Sequence, residues 1–115
     1  MKKIICFDID NVVCLTINNN YNKSIPYKRK INFINKLHEK NYYIKIFTAR
    51  FMGRNKENIK KAKKQGYNFT KKQLKKWGLK YDKLIFGKPS YDLFVDDKAV
   101  FFKKNWQKYL KKHSL

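Results

Sequence analysis

The chain has 115 residues, of which 43% are hydrophobic and 17% aromatic, enough to bury the core of one domain without disulfides. This composition excludes an intrinsically disordered chain, and no apolar stretch approaches the roughly 20 residues that a membrane span needs. The formal net charge is +21, with only three Arg among the 29 basic residues. We expect a single domain over residues 1–115, without a leader or membrane partner, located in the cytoplasm.

The charge has two interpretations. One is a surface that attracts nucleic acid, acidic lipid or phosphorylated substrates. The other is compositional bias toward Lys, which we favour because nucleic-acid surfaces usually use the bidentate fork of Arg. Nucleic acid is therefore the less favoured partner, although a positive field would still attract a small phosphate ester.

The first element is predicted over residues 3–8 (KIICFD), an almost continuous apolar run typical of a strand buried on both faces of a parallel sheet. Cys6 lies within it and is expected to be a buried thiol. Cys6 and Cys14 fit no metal spacing, and we do not expect a disulfide between them.

A polar loop insertion around residues 15–25 leads to Pro26, where a helix is expected to begin. Its apolar face is predicted from the spacing of Tyr27, Ile31, Ile34 and Leu37, with an end near Asn41. A second strand follows over residues 42–48 (YYIKIFT), which are rich in aromatic and β-branched side chains.

The segment 55–78 is predicted to be basic and helical. Asn55 is a candidate cap and Gly66 a candidate stop, whereas Thr70 and Gln73 form a capping-box pattern for a second helix that ends at Gly78. Strands are then predicted over residues 83–86 (KLIF) and 91–95 (YDLFV). After the apolar cluster at residues 99–102, a terminal helix is expected to carry Trp106 and Leu110.

Strands that alternate with helices indicate an α/β fold with a mainly parallel sheet, in which ligands bind beyond the carboxyl ends of the strands. Five of the eight acidic residues fall at two such ends, Asp8 and Asp10 after the first strand and Asp92, Asp96 and Asp97 around the fourth. Clustered carboxylates need a compensating cation, and oxygen ligands without His favour Mg²⁺. The alternative is that these Asp residues only form turns and cap helices. That alternative would suffice for a single Asp, but it explains the whole set less well than a metal site does.

Two further strand ends supply complementary groups. Thr48 offers a hydroxyl at the end of the second strand, and Lys88 offers an ammonium in the GKP turn before residues 91–95. Carboxylates, a metal, a hydroxyl and a fixed cation are the groups that phosphoryl transfer needs, since its catalysis is mostly positioning and charge neutralisation.

The motifs FDIDNVV, IFTAR, GKP and LFVDD, in this order, resemble the four motifs of the haloacid dehalogenase superfamily. The resemblance covers nearly the whole chain and implies a single Rossmann-like domain without a large cap. The stretch from FTARFMGR to KPSYDLFVDDKA is similar to small capless phosphatases of capsular-polysaccharide biosynthesis.

The resemblance implies a role for each matching residue. Asp8 would be the nucleophile that becomes an aspartyl-phosphate, and Asp10 would protonate the leaving oxygen and then activate water. Mg²⁺ would be held by Asp8, the Asp10 carbonyl and Asp96, with Asp97 as an outer partner or rival ligand. Thr48 and Lys88 would hold the phosphate oxygens.

Three residues are expected to bind substrate. Asn11 stands where the family usually has Gly, and Asn suits the left-handed turn that this position needs. Arg50 and Arg54 follow Thr48 and are expected to recognise a substrate carboxylate or phosphate, with a structural role as the alternative for Arg54. The site is expected to be open, unless a homo-oligomer covers it with a neighbouring subunit.

The leading functional hypothesis is a magnesium-dependent phosphomonoesterase that hydrolyses a small phosphorylated metabolite, such as a sugar phosphate or another surface-polysaccharide precursor. One alternative is a polynucleotide or nucleotide phosphatase, which an open site and a positive field would suit. The other is a binding module that keeps the fold without turnover.

Overall fold

The computed structural model describes residues 3–111. In chain order the elements are β1 (Ile4–Phe7), β2 (Cys14–Leu15), β3 (Ile25–Pro26), α1 (Lys28–Glu39), β4 (Tyr43–Thr48), α2 (Ile59–Lys76), β5 (Lys83–Phe86) and α3 (Trp106–Lys111). Short 3₁₀ turns lie at Tyr21–Lys23 and Gly53–Asn55. No helix within residues 3–111 combines the length and apolarity needed to cross a bilayer.

A three-stranded parallel sheet in the order β1-β4-β5 organises the fold. Strand β4 is central, and its alternate residues Ile44, Ile46 and Thr48 are buried. Helix α1 packs against β4 through a face that includes Ile31, Ile34 and Leu37, and α2 packs against β5. The predictions of α1, β4, β5 and the terminal helix α3 are confirmed, with Trp106 and Leu110 buried. The predicted start of α1 at Pro26 is wrong, because Pro26 lies in β3 and the helix begins at Lys28.

The connection between β1 and α1 is a small antiparallel hairpin, in which Cys14 pairs with Pro26 and Leu15 with Ile25. The connection between β4 and β5 contains only the loop after Thr48 and helix α2. Neither connection within residues 3–111 holds a large cap, so the carboxyl end of the sheet stays accessible.

The prediction of two helices in the basic segment is wrong. A single helix, α2, begins after Asn58, whose side-chain Oδ1 accepts the backbone N–H of Lys61 at 3.0 Å. It continues through Gly66, where an added Cβ would collide with the ring of Phe51. Gly66 therefore permits close packing of Phe51 on the helix and does not end it.

The predicted strand over residues 91–95 is absent. Tyr91 and Phe94 stack with ring centroids 5.0 Å apart. Residues three apart point to opposite faces of a strand, so this stacking excludes an extended conformation here. All of residues 91–95 are exposed, with Leu93 at 89% and Val95 at 98%.

Strand β1 lies at the edge of the sheet, and the prediction that it is buried on both faces is wrong. Ile4 and Cys6 are exposed, and Phe7 is buried. Without a strand from residues 91–95, no described segment pairs with the outer side of β1, which explains the exposure of a thiol that the apolar run predicted to be buried.

Candidate active site

The carboxyl ends of the three parallel strands bring the first site residues together. Asp8 follows β1, Thr48 ends β4, and Lys88 lies two residues after β5. The backbone N–H of Lys88 donates to the carbonyl of Thr48 at 3.2 Å, which continues the β4-β5 pairing into the turn. Gly87 has a φ of 104°, which Gly adopts without strain and which directs the chain back over the strand ends.

Asp8 and Lys88 form an ion pair at this edge. Lys88 Nζ donates to Asp8 Oδ2 at 3.1 Å, and the backbone N–H of Ile9 donates to Asp8 Oδ1 at 2.7 Å. The side chains retain 32% and 12% of their exposure for Asp8 and Lys88 respectively. Two residues separated by 80 positions thus meet because parallel strands end at the same side of the sheet.

Burial and charge act in opposite directions on this pair. Burial raises the pKa of Asp8, and the neighbouring charge of Lys88 only partly offsets the cost of desolvation. Burial acts to lower the pKa of Lys88, but the hydrogen bond with Tyr91 and the charge of Asp8 outweigh it, so this pKa is raised. In this pair the charged form of Lys88 is therefore favoured, whereas the charged form of Asp8 is disfavoured by its burial.

Asp10 is held by a buried arginine. Arg50 Nε donates to Asp10 Oδ2 at 3.0 Å, and Arg50 Nη2 donates to Asp10 Oδ1 at 2.9 Å. The Arg50 side chain has no solvent exposure, whereas Asp10 keeps 21%. This bidentate geometry orients the carboxylate and neutralises the buried guanidinium.

Helix α2 completes the environment of Arg50. Its Nη1 donates to Gln73 Oε1 at 2.6 Å and approaches Thr70 Oγ1 at 3.5 Å, at the limit of hydrogen bonding. Gln73 Nε2 in turn donates to the carbonyl of Tyr21 at 2.7 Å. The expectation that Arg50 contacts substrate is therefore not supported, because its donors are used inside the protein and the side chain is buried.

The loop after β1 supports Asp10 from the other side. Thr16 Oγ1 donates to Asp10 Oδ1 at 2.6 Å, and the backbone N–H of Thr16 donates to Asn11 Oδ1 at 3.2 Å. Asn11 has a φ of 64°, the left-handed conformation expected of it, and it is exposed on the wall of the site. The loop is thus tied to the hairpin by side-chain hydrogen bonds.

Thr48 occupies a different environment from the one predicted. It is completely buried, and its Oγ1 accepts the backbone N–H of Arg50 at 3.0 Å. The wall of the site beside this strand end is formed by Ala49 and Arg50. In this arrangement Thr48 supports the turn that carries Arg50, and it does not face the open space beside Asp8.

An open cavity of about 530 Å³ lies over these residues. Its walls include Asp8, Asp10, Arg50, Arg54 and Lys88, which places two anionic and three cationic groups around one space. Arg54 is exposed, and its Nη2 donates to the carbonyl of Asn19 at 3.2 Å. The cavity can accept a phosphate ester with its phosphorus beside Asp8 and its oxygens near Lys88.

The second aspartate cluster does not reach this cavity. Asp96 and Asp97 are exposed, and Asp96 Oδ1 accepts the backbone N–H of Lys98 at 2.8 Å. Within residues 3–111, no group of three or more His, Cys, Asp or Glu side chains is arranged to hold a metal ion. Both carboxylates at the site are paired with cations, and the predicted magnesium ligands are not assembled within the described residues.

Sequence reasoning missed the residues that position Asp10. Thr16, Thr70 and Gln73 hold Asp10 directly or through Arg50, and the carbonyl of Tyr21 anchors Gln73. The Thr70–Gln73 spacing predicts a helix start, whereas the two side chains lie on one face of a continuous helix. Two uncharged polar residues three positions apart, on a helix otherwise rich in Lys, are the signal that could have identified Thr70 and Gln73.

Comparisons with solved structures support the fold. A crystallised target protein from Vibrio cholerae has a TM-score of 0.80 at 22% identity, covering 98% of this chain and 99% of that chain. A chain of the Pnkp1/Rnl/Hen1 RNA repair complex has a TM-score of 0.54 at 15% identity. The match covers 99% of this chain and 32% of that chain.

A third similar structure is the D,D-heptose 1.7-bisphosphate phosphatase from B. bronchiseptica, complexed with magnesium and phosphate. Its TM-score is 0.51 at 13% identity, covering 98% of this chain and 64% of that chain. No family model and no curated protein matches the chain. At these identities the likeness concerns the fold alone, an α/β arrangement with a parallel three-stranded sheet flanked by helices and no large cap within residues 3–111.

Proposed function

We propose that this protein is a phosphomonoesterase that forms a covalent aspartyl-phosphate on Asp8. The observation that carries the proposal is the contact between Asp8 and Lys88 in an open cavity at the carboxyl edge of a parallel sheet. A carboxylate nucleophile needs access to the phosphorus and a cation that reduces repulsion with the phosphate dianion. The cavity offers both.

The reaction has two steps. First, a carboxylate oxygen of Asp8 attacks the phosphorus, an O–P bond forms, and the ester P–O bond breaks as the leaving oxygen takes a proton. Second, water attacks the phosphorus, the bond to Asp8 breaks, and inorganic phosphate leaves as the water proton is removed. Lys88 neutralises phosphate charge in both steps.

Asp10 is the group that we propose for both proton transfers. It lies two residues after the nucleophile, keeps part of its surface exposed and faces the same cavity. Arg50 and Thr16 hold its carboxyl group in one orientation, which favours transfer along a fixed direction.

Magnesium dependence is part of the proposal, although the described donor set is incomplete. The solved phosphatase with a TM-score of 0.51 was complexed with magnesium and phosphate. Asp8 and the Asp10 carbonyl would hold the ion, and residues 91–95 would add as a parallel strand to the outer side of β1, which no segment within residues 3–111 covers. Unpaired edge strands favour such addition, and the change would carry Asp96 and Asp97 toward Asp8.

The substrate is proposed to be a small phosphorylated metabolite. Sugar phosphates of surface-polysaccharide synthesis are one class that the sequence motifs suggest, and the absence of a cap in residues 3–111 leaves room for other small phosphate esters as well. A binding module without turnover would not need a lysine paired with a partly exposed carboxylate in an open cavity.

The direct test is to incubate the protein with p-nitrophenyl phosphate and Mg²⁺, and to trap the phosphorylated protein by acid quench and peptide mass spectrometry. We expect the added mass on Asp8 and the loss of nearly all turnover in Asp8→Asn. Asp92→Asn, at an exposed aspartate outside the cavity, is the matched control and should remain active. Turnover by Asp8→Asn at the wild-type rate would refute the proposal.

A further inference from the structure

A second cavity, of about 800 Å³, lies beside the one over Asp8. It is bounded by the β2-β3 hairpin, the turn at residues 18–23 and the exposed end of Phe69 on α2. The two cavities adjoin each other, because four residues line both of them: Asn19, Tyr21, Phe51 and Arg54. A phosphate ester with its phosphorus at Asp8 can therefore place its leaving group in the second cavity.

The walls of this second cavity are unusually apolar for an exposed surface. Leu15, Ile17, Ile25 and Phe69 line it and retain 37%, 64%, 61% and 36% exposure. Exposed apolar groups that surround one concave space mark a ligand site more often than free surface. A polyhydroxylated sugar gains little from such walls, whereas a flat ring system can cover them with its faces.

Amide groups surround the apolar walls. Asn18, Asn20 and Asn22 line the cavity, and their side chains make no hydrogen bond to another residue within 3–111. Each amide offers both a donor and an acceptor. A ligand that complements this cavity has flat apolar faces and a polar edge with hydrogen-bond donors and acceptors. Nucleobases have this chemistry.

Arg54 stands where the cavities meet. Its guanidinium carbon lies 4.7 Å from the ring centre of Phe51 and 5.3 Å from that of Tyr21, and Nη2 donates to the carbonyl of Asn19. These contacts hold a cation beside the path from the phosphorus to the second cavity. Arg54 can therefore contact the phosphate or the first atoms of the leaving group.

We propose that the second cavity binds the nucleoside part of a nucleoside monophosphate ester whose phosphate lies at Asp8. The inference rests on the proposed phosphatase function and specifies its substrate class. The base would contact Ile17 and Phe69, the Asn amides would bind its edge, and Arg54 would contact the link to the phosphate.

Such a nucleotide has two sources, a free mononucleotide or the terminal nucleotide of a nucleic-acid chain. Helix α2, which carries Phe69, has eight Lys and no acidic residue. This positive surface would strengthen binding of a chain that extends beyond the cavity, and that contribution would fall with salt.

The first test compares kcat/KM for the four ribonucleoside monophosphates with that for glycerol 2-phosphate, which lacks a base. We expect at least about a tenfold preference for the nucleotides, as stacking of one base supplies. Ile17→Ser and Phe69→Ala should remove the preference by raising KM for the nucleotides. Ile4→Ser and Phe101→Ala, at exposed residues that line neither cavity, are the matched controls.

The inference and the proposed function fail in different ways. Equal kcat/KM for nucleotides and glycerol 2-phosphate would overturn the inference and leave the phosphatase function intact. If no ester is hydrolysed, calorimetric titration of Asp8→Asn with the nucleotides and with inorganic phosphate still tests whether the second cavity binds a nucleoside. Tighter nucleotide binding that Ile17→Ser abolishes would support the cavity assignment, and equal binding would overturn it.

The source of the nucleotide is tested with oligonucleotides that carry a terminal phosphate, over a salt series from 50 to about 500 mM. Faster release from the oligonucleotide than from the mononucleotide, lost at high salt, would assign the chain end. Salt-independent preference for the mononucleotide would assign the free nucleotide. Release from neither at a rate above that of glycerol 2-phosphate would contradict the inference.

Discussion

The guanidinium of Arg50 donates to both carboxylate oxygens of Asp10 from a position without solvent exposure. The two residues are 40 positions apart, and each follows a different strand of the sheet. Gln73 and Thr70 hold the opposite side of the guanidinium, so the orientation of Asp10 depends on helix α2. A residue that sequence reasoning placed against substrate thus serves to position a proposed proton-transfer group.

Arg50→Lys should destabilise the protein although it keeps the charge. Lys has one ammonium and cannot reproduce the fork that contacts Asp10 and Gln73 together, so a loss of about 2 kcal/mol in the free energy of unfolding is expected. Urea unfolding measures this. Arg54→Lys, at an exposed arginine in the same loop, should stay within about 0.5 kcal/mol of the wild type. Equal stability of the two variants would contradict the role of Arg50.

Gln73→Met should weaken the same network from the helix side. It removes the bond to Arg50 Nη1 and the bond to the Tyr21 carbonyl, with an expected loss of about 1–3 kcal/mol because a buried donor is left without its partner. Asn68→Met, at an exposed position of α2, is the control. A double-mutant cycle with Arg50→Met should show coupling of about 0.5 kcal/mol or more, and strict additivity would argue against the network.

Gly66→Ala should lower stability, in contrast to the gain of about 1 kcal/mol that this change usually brings within a helix. The added Cβ would collide with the ring of Phe51, and we expect a net loss of about 1–3 kcal/mol in chemical unfolding. In a Phe51→Ala background the collision is gone and the same change should become stabilising. A loss of equal size in both backgrounds would show that Phe51 is not the cause.

Magnesium should raise the melting temperature if residues 91–97 complete an ion site. Binding to the folded state alone stabilises it by about 2.7 kcal/mol at an ion concentration one hundred times the Kd. The rise should be lost in Asp96→Asn and retained in Asp92→Asn, as followed by thermal unfolding with and without EDTA. Hydrogen exchange should slow at residues 91–95 when the ion is added. An unchanged melting temperature in wild type would refute the proposed rearrangement.

Elements with a strong local pattern were predictable. The 3.6-residue spacing of Ile31, Ile34 and Leu37 predicts α1, and the alternation in β4 and the short apolar run of β5 predict strands. Their partners lie in the same sheet or against it, so local preference and tertiary packing agree. The meeting of charged groups at the strand ends was also predictable, because parallel strands bring their carboxyl ends to one edge of the sheet.

Predictions failed where a local signal has two physical meanings. Gly66 can end a helix or admit a ring, and Thr70 with Gln73 can cap a helix or bind a guanidinium. Residues 91–95 have strand composition, but a strand requires a partner for its backbone groups, and Tyr91 stacks on Phe94 instead. The choices at Gly66, Thr70 and Gln73 are made by residues distant in the chain, Phe51 and Arg50.

The amino-acid sequence by itself determined the parallel α/β arrangement and the edge at which Asp8 and Lys88 would meet, because hydrophobic periodicity is local and a helical crossover between two strands favours parallel pairing. Only the tertiary structure decided that Arg50 is buried against Asp10, that Thr48 faces inward, and that the 18–23 turn and Phe69 enclose a second cavity. Those outcomes depend on which distant side chains compete for the same space and the same hydrogen bonds.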